Sequence, residues 1–446
     1  MKVTIRLKWK ASDEMQYNEL VELLPLGNQG EMELGLDSMY QLMGLLNNPQ
    51  DQTPMIHIAG TNGKGSTASF VSHVLREAGF RVGMFTSPSL VEFNERIQVN
   101  GESITDEQIL KYAHTIKDAI SDSDLHMSEF ELFAAIAFLH FQQESDIAIV
   151  EVGLGGRLDA TNVITEPLVT AITKIGLDHT RILGDTFEQI TREKAEIIKP
   201  NCPVVLYPQE KPEVENIIFD KATSVNAEIR LVELNNLSYK LNDERVQDFK
   251  YKNVLYQIQL LEEHQIKNAA VALEIIIALQ KSGLAINSNA IDQGLAKTTW
   301  PARFEWLCEQ PNVIIDGSHN EDGLNAFKSN VSRYFPNGKK VGIIGFMEDK
   351  AIDHALSEVV QDFDTIYTVT PDSPRALDNK VLKDKIELLS NEVGHMLEVY
   401  ASGSLEDALN QAVSIVEHDD LIAIFGSFYF VGLMRQLILA GRNEAM

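Results

Sequence analysis

One short segment constrains the fold of this chain more than any other. Residues 57–67 read His-Ile-Ala-Gly-Thr-Asn-Gly-Lys-Gly-Ser-Thr, and they join the apolar run Met55–Ala59 to a stretch of helical periodicity from Gly63 to Ala78. Glycines in such a loop let successive backbone N–H groups turn toward one anion, and the first turn of the helix adds the positive end of its dipole. Strand, loop and helix together form the context that a phosphate-binding loop requires.

The side chains of this loop indicate a nucleoside triphosphate. Lys64 is placed to neutralise the β- and γ-phosphates, and a hydroxyl of Ser66 or Thr67 is placed to reach the nucleotide or its magnesium ion. The spacing departs from the common P-loop, because Ile58 stands where the first glycine falls and Gly65 separates Lys64 from Ser66. A glycine-rich turn with a solvated lysine is the alternative. The residues expected to bind ATP are Gly60, Thr61, Asn62, Gly63, Lys64, Gly65, Ser66 and Thr67.

Short apolar runs alternate with amphipathic stretches over the first 210 residues. The runs are Met55–Ala59, Val82–Thr86, Ala148–Val152, Val169–Ile172 and Pro203–Tyr207, and the helical stretches are Gly63–Ala78, Asp106–Ser121, Glu129–Gln143 and Thr186–Ile198. Uninterrupted apolar strands between helices favour a mostly parallel sheet that is covered on both faces. We therefore predict an α/β fold whose N-terminal domain is a P-loop ATPase.

The rest of the chain predicts an insertion and a second α/β domain. From about residue 227 to residue 259, polar and apolar residues alternate, which indicates a small antiparallel sheet. Pro301 disfavours helix at the residue before it, so we place the boundary between an N-terminal domain, 1–297, and a C-terminal domain, 298–446. A helix and four further strands are predicted at His264–Lys281, Val313–Asp316, Val341–Gly345, Thr365–Thr370 and Leu421–Phe425. The C-terminal domain should be the smaller, with a Rossmann-like α/β fold.

The charge balance excludes several classes of partner. With 38 lysines and arginines against 65 aspartates and glutamates, the 446-residue chain carries a formal net charge of −27. Nucleic acids and anionic membranes attract positive surfaces, so we expect neither as a partner. The most apolar helical stretch, Ala269–Leu279, is too short to span a bilayer, and residues 3–9 alternate like a strand rather than a signal peptide. Cys202 and Cys308 are too few for a disulfide framework, and we expect a cytoplasmic protein.

Three residues at the carboxyl ends of predicted strands are candidate magnesium ligands. Ser87 follows the second strand, Glu151 ends the run that leads into a glycine-rich turn, and His179 follows Asp178. Ligands of open α/β sheets gather at this edge, and magnesium prefers hard oxygen donors. Taken alone, His179 also fits a helix-capping or core-edge histidine, and Glu151 also fits a surface carboxylate. Their shared position at strand ends is what favours the metal interpretation.

Lys194 is a candidate for a modified residue. It lies on the predicted helix Thr186–Ile198, where Ala195 beside it allows close approach. As an ordinary lysine it would form a salt bridge. Near a pair of metal ions, a lysine amine with a lowered pKa can react with CO₂ to give a carbamate, which is an anionic ligand.

The motifs taken together resemble the folylpolyglutamate synthase/dihydrofolate synthase family of the Mur ligase superfamily. The matches run in order along nearly the whole chain. They are 60–66 (GTNGKGS), 86–88 (TSP), 94–97 (NERI), 151–156 (EVGLGG), 158–162 (LDATN), 177–179 (LDH), 183–184 (LG), 193–195 (EKA), 264–265 (HQ), 268–269 (NA), 300–305 (WPARFE), 316–320 (DGSHN), 349–350 (DK) and 426–427 (GS).

The resemblance implies an active site between the two domains and assigns roles to single residues. Gly63, Lys64, Gly65 and Ser66 would hold the triphosphate. Two magnesium ions are implied, the first held by Ser87 and Glu151, the second by His179 and a carbamylated Lys194. The remaining implied roles are contacts to ATP by Asn268, Arg303 and Asp316, a place at the reaction centre for His319, and a place near the pterin or folate for Arg96 and Asp159.

The implied activity is ATP-dependent ligation of L-glutamate to the carboxylate of a reduced folate, and also to dihydropteroate, through an acyl phosphate, by a monomeric enzyme. A cell-wall Mur-type ligase and a non-catalytic ATP-dependent binding module are the alternatives. Four residues depart from the family pattern, namely Ser89, Glu196, Ser318 and Leu433. Glu196 would place an additional negative charge near the helix that carries the carbamate, and Ser89 would alter pterin stacking.

Overall fold

The computed structural model describes residues 20, 23–24, 35–240, 245–348 and 353–445. The predicted N-terminal strand at residues 3–9 and the match at Asp349-Lys350 lie outside the described residues. Within this part of the chain, none of the helices combines the length and the apolarity that crossing a bilayer requires.

The N-terminal half is built around a sheet whose strands alternate with helices. In chain order its elements are α1 (Asp37–Leu45), β1 (Met55–Ala59), α2 (Lys64–Glu77), β2 (Val82–Phe85), β3 (Ile97–Val99), β4 (Glu102–Ser103), α3 (Asp106–Ile120), α4 (Glu129–Glu144), β5 (Ile147–Glu151), β6 (Val169–Ile172), α5 (Thr180–Leu183), α6 (Phe187–Ala195), β7 (Val204–Leu206), α7 (Pro212–Ser224) and β8 (Ile229–Leu231). The segments that follow are β9 (Leu237–Tyr239), β10 (Gln247–Tyr251), β11 (Val254–Ile258), α8 (Glu263–Lys281) and α9 (Ser288–Lys297).

The strand order of the large sheet is β4-β3-β2-β5-β1-β6-β7-β8. The strands from β2 to β8 in this order run parallel, whereas β3 and β4 are antiparallel additions at one edge. Because β1 lies between β5 and β6, the loops after these three strands meet at one edge, which is where an open α/β sheet binds its ligands. The register places Ile58 beside Glu151, so the last residue of β5 lies close to the phosphate loop.

Apolar side chains cover both faces of this sheet. One face packs against α2, α8 and α9 through a core that includes Phe70, Val74 and Ile276. The other packs against α1, α3 and α4 through residues such as Phe133 and Tyr112. The small sheet β11-β10-β9 is antiparallel, and its Phe249 and Tyr251 join the first of these cores.

The C-terminal half forms a second α/β layer structure. Its elements are β12 (Glu305–Glu309), β13 (Asn312–Asp316), α10 (Glu321–Tyr334), β14 (Lys340–Ile344), α11 (Asp353–Val359), β15 (Thr365–Thr368), α12 (Asn379–Glu392), β16 (Glu398–Ala401), α13 (Leu405–Ile415), β17 (Leu421–Phe425) and α14 (Phe428–Ala445). The strand order is β12-β13-β17-β14-β15-β16, in which only β12 runs antiparallel among the described strands.

The predicted strands and helices agree with these elements to within a few residues at most ends. One difference is at α6, which ends at Ala195 rather than at Ile198, because the chain turns there toward Pro200. The predicted antiparallel segment 227–259 is wrong at its start, because β8 pairs parallel with β7 in the large sheet, where it extends the edge. The short antiparallel strands β3, β4 and β12 and the edge strand β16 were not predicted, since they are short and carry polar residues on an exposed face. The predicted boundary at residues 297 and 298 stays a prediction.

Candidate active site

A cavity of about 450 Å³ lies between the carboxyl edge of the large sheet and the C-terminal half of the chain. Its lining includes most of the residues that the sequence singles out. These are Gly60, Thr61, Asn62, Gly63, Lys64, Gly65, Ser87, Arg96, Glu151, Asp159, His179, Lys194, Arg303 and His319. Side chains as far apart in the sequence as Thr61 and His319 therefore meet at one place.

The phosphate loop has the backbone that its glycines predict. Gly63 has a φ of +90° at the start of α2, and a Cβ there would lie 2.5 Å from Asn268 Oδ1. A Cβ on Gly65 would lie 2.9 Å from the ring of Trp300. The loop is thus packed closely from below, and its backbone can follow this path only with glycine at these positions.

Lys64 and Glu151 face each other across the floor of the cavity. The distance from Lys64 Nζ to Glu151 Oε1 is 3.6 Å, and Lys64 also donates to the carbonyl of Thr61 at 3.4 Å. Burial raises the pKa of the Glu151 carboxyl, although the Lys64 ammonium and a hydrogen bond from the Ser87 N–H act in the opposite direction. A buried carboxylate beside a hydroxyl and a lysine is suited to a divalent cation.

Lys194 is buried in the last turn of α6 and donates to the carbonyl of Gly60 at 2.9 Å. Burial lowers the pKa of its ammonium to about 7, and the neighbouring Lys64 adds to that shift. A substantial fraction of the amine is therefore uncharged near neutral pH, which is the form that reacts with CO₂.

His179 and His319 approach the same carboxylate from the two halves of the chain. His179 Nε2 lies 3.9 Å from Asp178 Oδ2, and His319 Nε2 lies 4.0 Å from the same oxygen. His319 Nδ1 is 2.8 Å from the carbonyl of Gly317, so Nδ1 carries the proton and donates. In a neutral ring Nε2, directed toward Asp178, is then the acceptor.

Arg303 brings a cation from the C-terminal half. Its Cζ lies 4.9 Å from the centre of the Phe428 ring, and its Nε is buried with no hydrogen-bond partner among the described residues. A buried N–H group without a partner is costly unless a ligand accepts from it. Arg303 therefore has the geometry of an anion-binding residue.

Four predicted residues lie outside the cavity lining. Ser66 and Thr67 are buried in the first turn of α2, and Asn268 lies beneath the loop, where its Nδ2 donates to Gln265 at 3.1 Å. Asp316 is buried and accepts the backbone N–H of Phe304 at 2.7 Å and that of Ser318 at 2.8 Å. Asp316 thus holds the turn that carries Arg303, whatever else it contacts.

The other end of the cavity is partly aromatic. Phe130 lines it, and Arg96 lies 5.0 Å from the centre of the Phe93 ring and 3.6 Å from Glu129. Asp159 lines the cavity but accepts hydrogen bonds from the N–H groups of Leu154 and Thr161, so its carboxylate shapes its own loop. Burial raises the pKa of Asp159, and the hydrogen bond from the Thr161 hydroxyl counters that shift.

Several residues of the lining were not predicted from the sequence, among them Phe130, Asp178, Arg375 and Phe428. Asp178 and Phe428 could have been predicted from their positions after strands, because Asp178 precedes His179 and Phe428 follows the motif at residues 426–427. Arg375 lies in a loop without a distinctive pattern, and only the fold brings it to the site.

Two departures from the family pattern have a structural explanation. Glu196 stands at the carboxyl end of α6, the helix of Lys194, and its carboxylate forms an ion pair with Lys221 of α7, whose Nζ lies 2.7 Å from its Oε2. The Ser318 hydroxyl donates to the Asp316 carboxylate and lies 3.1 Å from the carbonyl of Gly323. Nothing in the structure explains Ser89 or Leu433.

No group of three or more histidine, cysteine, aspartate or glutamate side chains suited to a metal ion occurs among the residues that the structure describes. The donors gathered near Lys64 are instead mixed, with the hydroxyl of Ser87, the carboxylate of Glu151 and the imidazole of His179. Such a set fits magnesium only when phosphate oxygens and a further anionic ligand complete it.

Comparisons with known proteins bear directly on this site. Residues 58–276 match the Mur ligase middle domain, and residues 302–428 match the Mur ligase glutamate ligase domain. The dihydrofolate synthase/folylpolyglutamate synthase of Bacillus subtilis is 36% identical over 417 residues, which cover 90% of this chain and 94% of that protein. The chain belongs to the folylpolyglutamate synthase/dihydrofolate synthase family. It is an ATP-dependent ligase of the Mur type, as the sequence predicts.

Solved structures agree with this assignment. The Mycobacterium tuberculosis folylpolyglutamate synthase complexed with ADP superposes with a TM-score of 0.83 at 30% identity, and the match covers 96% of this chain and 98% of that one. Escherichia coli FolC in complex with DHPP and ADP gives a TM-score of 0.82 at 30% identity, with the same coverage. The predicted fold class is confirmed, and the match to folate ligases excludes the cell-wall Mur-type alternative.

The lowered pKa of Lys194 predicts how its replacement changes stability with pH. The folded chain binds the lysine proton with a pKa of about 7 and the unfolded chain with one of about 10.4. Between these values the unfolded state binds more protons, so wild-type stability rises with pH. We expect Lys194→Met to raise the free energy of unfolding by roughly 2–4 kcal/mol near pH 7 and by less than half of that near pH 9.5.

The measurement is denaturant unfolding in CO₂-free buffer, with Lys117→Met on the exposed face of α3 as the control. A gain that does not shrink as the pH rises would show that burial does not depress this pKa.

Proposed function

We propose that this chain joins the amine of L-glutamate to the carboxylate of dihydropteroate or of a reduced folate, with conversion of ATP to ADP and phosphate. The observation that carries the proposal is the single cavity in which the phosphate loop and Glu151 face Arg303 and His319. Relatives that bind ADP and DHPP support both the nucleotide and the pterin end. Cys202 and Cys308 form no disulfide bond, which is consistent with a cytoplasmic enzyme, and we propose that it acts as a monomer.

In the first step, a carboxylate oxygen of the acceptor attacks the γ-phosphorus of ATP, and the bond to the β-phosphate oxygen breaks to release ADP. The product is an acyl phosphate. Lys64 offsets charge on the transferring phosphoryl group, while the amides of the loop orient it. The step depends on position and electrostatics, because no residue of the chain forms a bond to the phosphoryl group.

Magnesium would be held by Ser87 and Glu151 at one position and by His179 and carbamylated Lys194 at a second. When bound, it neutralises phosphate charge and orients the triphosphate. The buried carboxylate of Glu151, which lies 3.6 Å from Lys64 and accepts the Ser87 N–H, supports the first position. Asp178 precedes His179 in the sequence, and its charge acts on Lys194. It therefore lies close to both residues of the second position.

In the second step, the uncharged amine of glutamate attacks the acyl carbon, and the tetrahedral intermediate expels phosphate as the amide forms. The proton that the amine loses must leave the bond-forming centre. His319 Nε2, an acceptor directed toward Asp178, is placed to take it. Water must be excluded meanwhile, because it would hydrolyse the acyl phosphate.

The carbamate is supported by the environment of Lys194. Its uncharged Nζ attacks the carbon of CO₂, a proton leaves the nitrogen, and the product carries a negative charge. The charge of Lys64 acts against the ammonium form of Lys194 and lowers its pKa. A carbamate there reverses the sign of that interaction, which favours the modified form over the free cation.

The pterin or folate would bind at the end of the cavity that Arg96 and Phe130 line. Arg96 supplies a cation, and Phe130 supplies a flat apolar surface for a pterin ring. Asp159 keeps the loop of residues 153–161 in place between them.

The activity predicts dependence on three substrates. We expect phosphate release from ATP only when L-glutamate and either dihydropteroate or tetrahydrofolate are both present. The measurement is a coupled phosphate assay with each component left out in turn. Release that needs no glutamate, or no pterin acid, would indicate an ATP-driven binding module instead.

Lys64→Ala and Glu151→Ala should each lower kcat by about 100-fold or more, since each removes charge stabilisation at the transferring phosphoryl group. Lys117→Ala and Glu107→Ala, both on exposed positions of α3, are the matched controls for charge. Circular dichroism and thermal melts check that the folds are equal. Turnover close to wild type in either site variant would sink these two assignments.

Carbamylation of Lys194 predicts a ¹³C resonance when the chain is equilibrated with ¹³C-bicarbonate near pH 8, and a loss of activity when CO₂ is removed. The resonance should disappear in Lys194→Met. It should persist in Lys199→Met, which removes another largely buried lysine whose pKa burial lowers. A resonance that survives in Lys194→Met would place the carbamate elsewhere.

A further inference from the structure

Two residues without an assigned role join the phosphate loop to the C-terminal half. Lys174 follows β6, and its Nζ lies 3.2 Å from an oxygen of Asp322 and 3.1 Å from one of Glu210. Asp322 lies in the first turn of α10. The pair therefore connects the two halves of the chain beside the cavity.

Lys174 also holds the phosphate loop through its backbone. Its carbonyl accepts the N–H of Thr61 at 2.9 Å and that of Asn62 at 3.2 Å. The Thr61 hydroxyl donates to the carbonyl of Gly176 at 3.0 Å. The loop thus rests on residues 174–176, and a shift of Lys174 moves its backbone directly.

The side chain of Asn62 is bound entirely by the C-terminal half. Its Nδ2 donates to Asp322 at 3.3 Å, and its Oδ1 accepts from Asn320 Nδ2 at 3.0 Å. Asn320 also accepts the N–H of Gly323 at 2.9 Å and so caps α10. His319, the residue before it, is fixed relative to the loop by the same contacts.

The ion pair of Lys174 and Asp322 is partly shielded from water, and Lys174 is charged. The Lys174 side chain is 23% exposed and that of Asp322 is 41% exposed, so water screens the pair only in part. Burial alone would lower the pKa of Lys174, but Asp322 and Glu210 raise it above its ordinary value, so the ammonium stays charged. A Cβ on residue 176 would lie 2.9 Å from Asp322 Oδ2, which means that Gly176 permits this close approach.

We propose that Lys174 and Asp322 are positioning residues for the ligation, which set the phosphate loop by joining Asn62 to the domain that carries His319. The proposal rests on the proposed function for its kinetic consequences. Lys174 has a second task, because it neutralises a carboxylate that would otherwise repel the phosphates beside the loop. The two residues should therefore act as a unit rather than independently.

The test is a double-mutant cycle of Lys174→Met, Asp322→Asn and the double variant, with Glu321→Gln as the control. Glu321 is the adjacent residue on α10 and is exposed, so its replacement makes the same charge change away from the loop. The readouts are KM for ATP, kcat, the dissociation constant of ADP by calorimetry, and the melting temperature.

Lys174→Met should raise KM for ATP and the ADP dissociation constant by about fivefold, at the low end of couplings between sites because the pair is partly exposed. Asp322→Asn should raise the same two constants by only about twofold, since an asparagine oxygen can still accept a hydrogen bond from Asn62. Adding Asp322→Asn to Lys174→Met should recover most of the loss, because the unpaired carboxylate is gone.

Additive effects, an equal effect of Glu321→Gln, or a change in melting temperature alone would overturn the proposal. A wild-type chain that binds ADP but releases no glutamate-dependent phosphate would contradict the proposed function only, and the ADP measurements would still decide this link. A wild-type chain that does not bind ADP would overturn both.

Discussion

The charges buried around the phosphate loop are the constraint on which the rest of the structure depends. Lys64, Glu151 and Lys194 come from α2, β5 and α6, and the register of the central strands brings them together. Taking charged groups out of water costs several kcal/mol each unless partners compensate. Within the chain, Lys64 and Glu151 share a 3.6 Å ion contact, and Glu151 also accepts the Ser87 N–H. Each of the two ammonium groups donates to one backbone carbonyl, that of Thr61 for Lys64 and that of Gly60 for Lys194. Groups compensated this incompletely are what a site for a polyanion and its cations requires.

The charged groups of the cavity also explain how so acidic a chain can bind anionic substrates. A net charge of −27 opposes the approach of ATP, glutamate and folate, all of which are anions. The cations of the cavity lining are Lys64, Arg96, Arg303 and Arg375, and the carboxylates are Glu131, Glu151, Asp159 and Asp178. Lys194 also lines the cavity, with a pKa lowered to about 7. Asp159 and Glu131 accept hydrogen bonds from N–H and hydroxyl groups of their own loops, which offsets their charge locally. The cavity lining is therefore nearly balanced in charge, whereas the chain as a whole carries −27.

Much of this was predictable from the sequence, since local pattern determines much of the site. The phosphate loop needed glycines after a buried strand, and Glu151 could be placed because strand ends share one edge. The antiparallel strands β3 and β12 could not be predicted, because a short strand is stabilised by its neighbours rather than by its own pattern. Nor could the contact of Lys174 with Asp322, which joins residues 148 positions apart and depends on how the two halves of the chain pack.

Several contacts between the halves lie at the margin of the cavity. Asn62 is held at one side, Trp300 packs over Gly65, and a Cβ on Gly432 would collide with the carbonyl of Leu90 in the segment after Ser87. Each of these contacts involves a segment that also carries a residue of the cavity. Packing the domains together therefore fixes the phosphate loop, the Ser87 segment and the Arg303 turn at the same time. An acyl phosphate needs this arrangement, because the closure that excludes water is also the one that aligns the reacting groups.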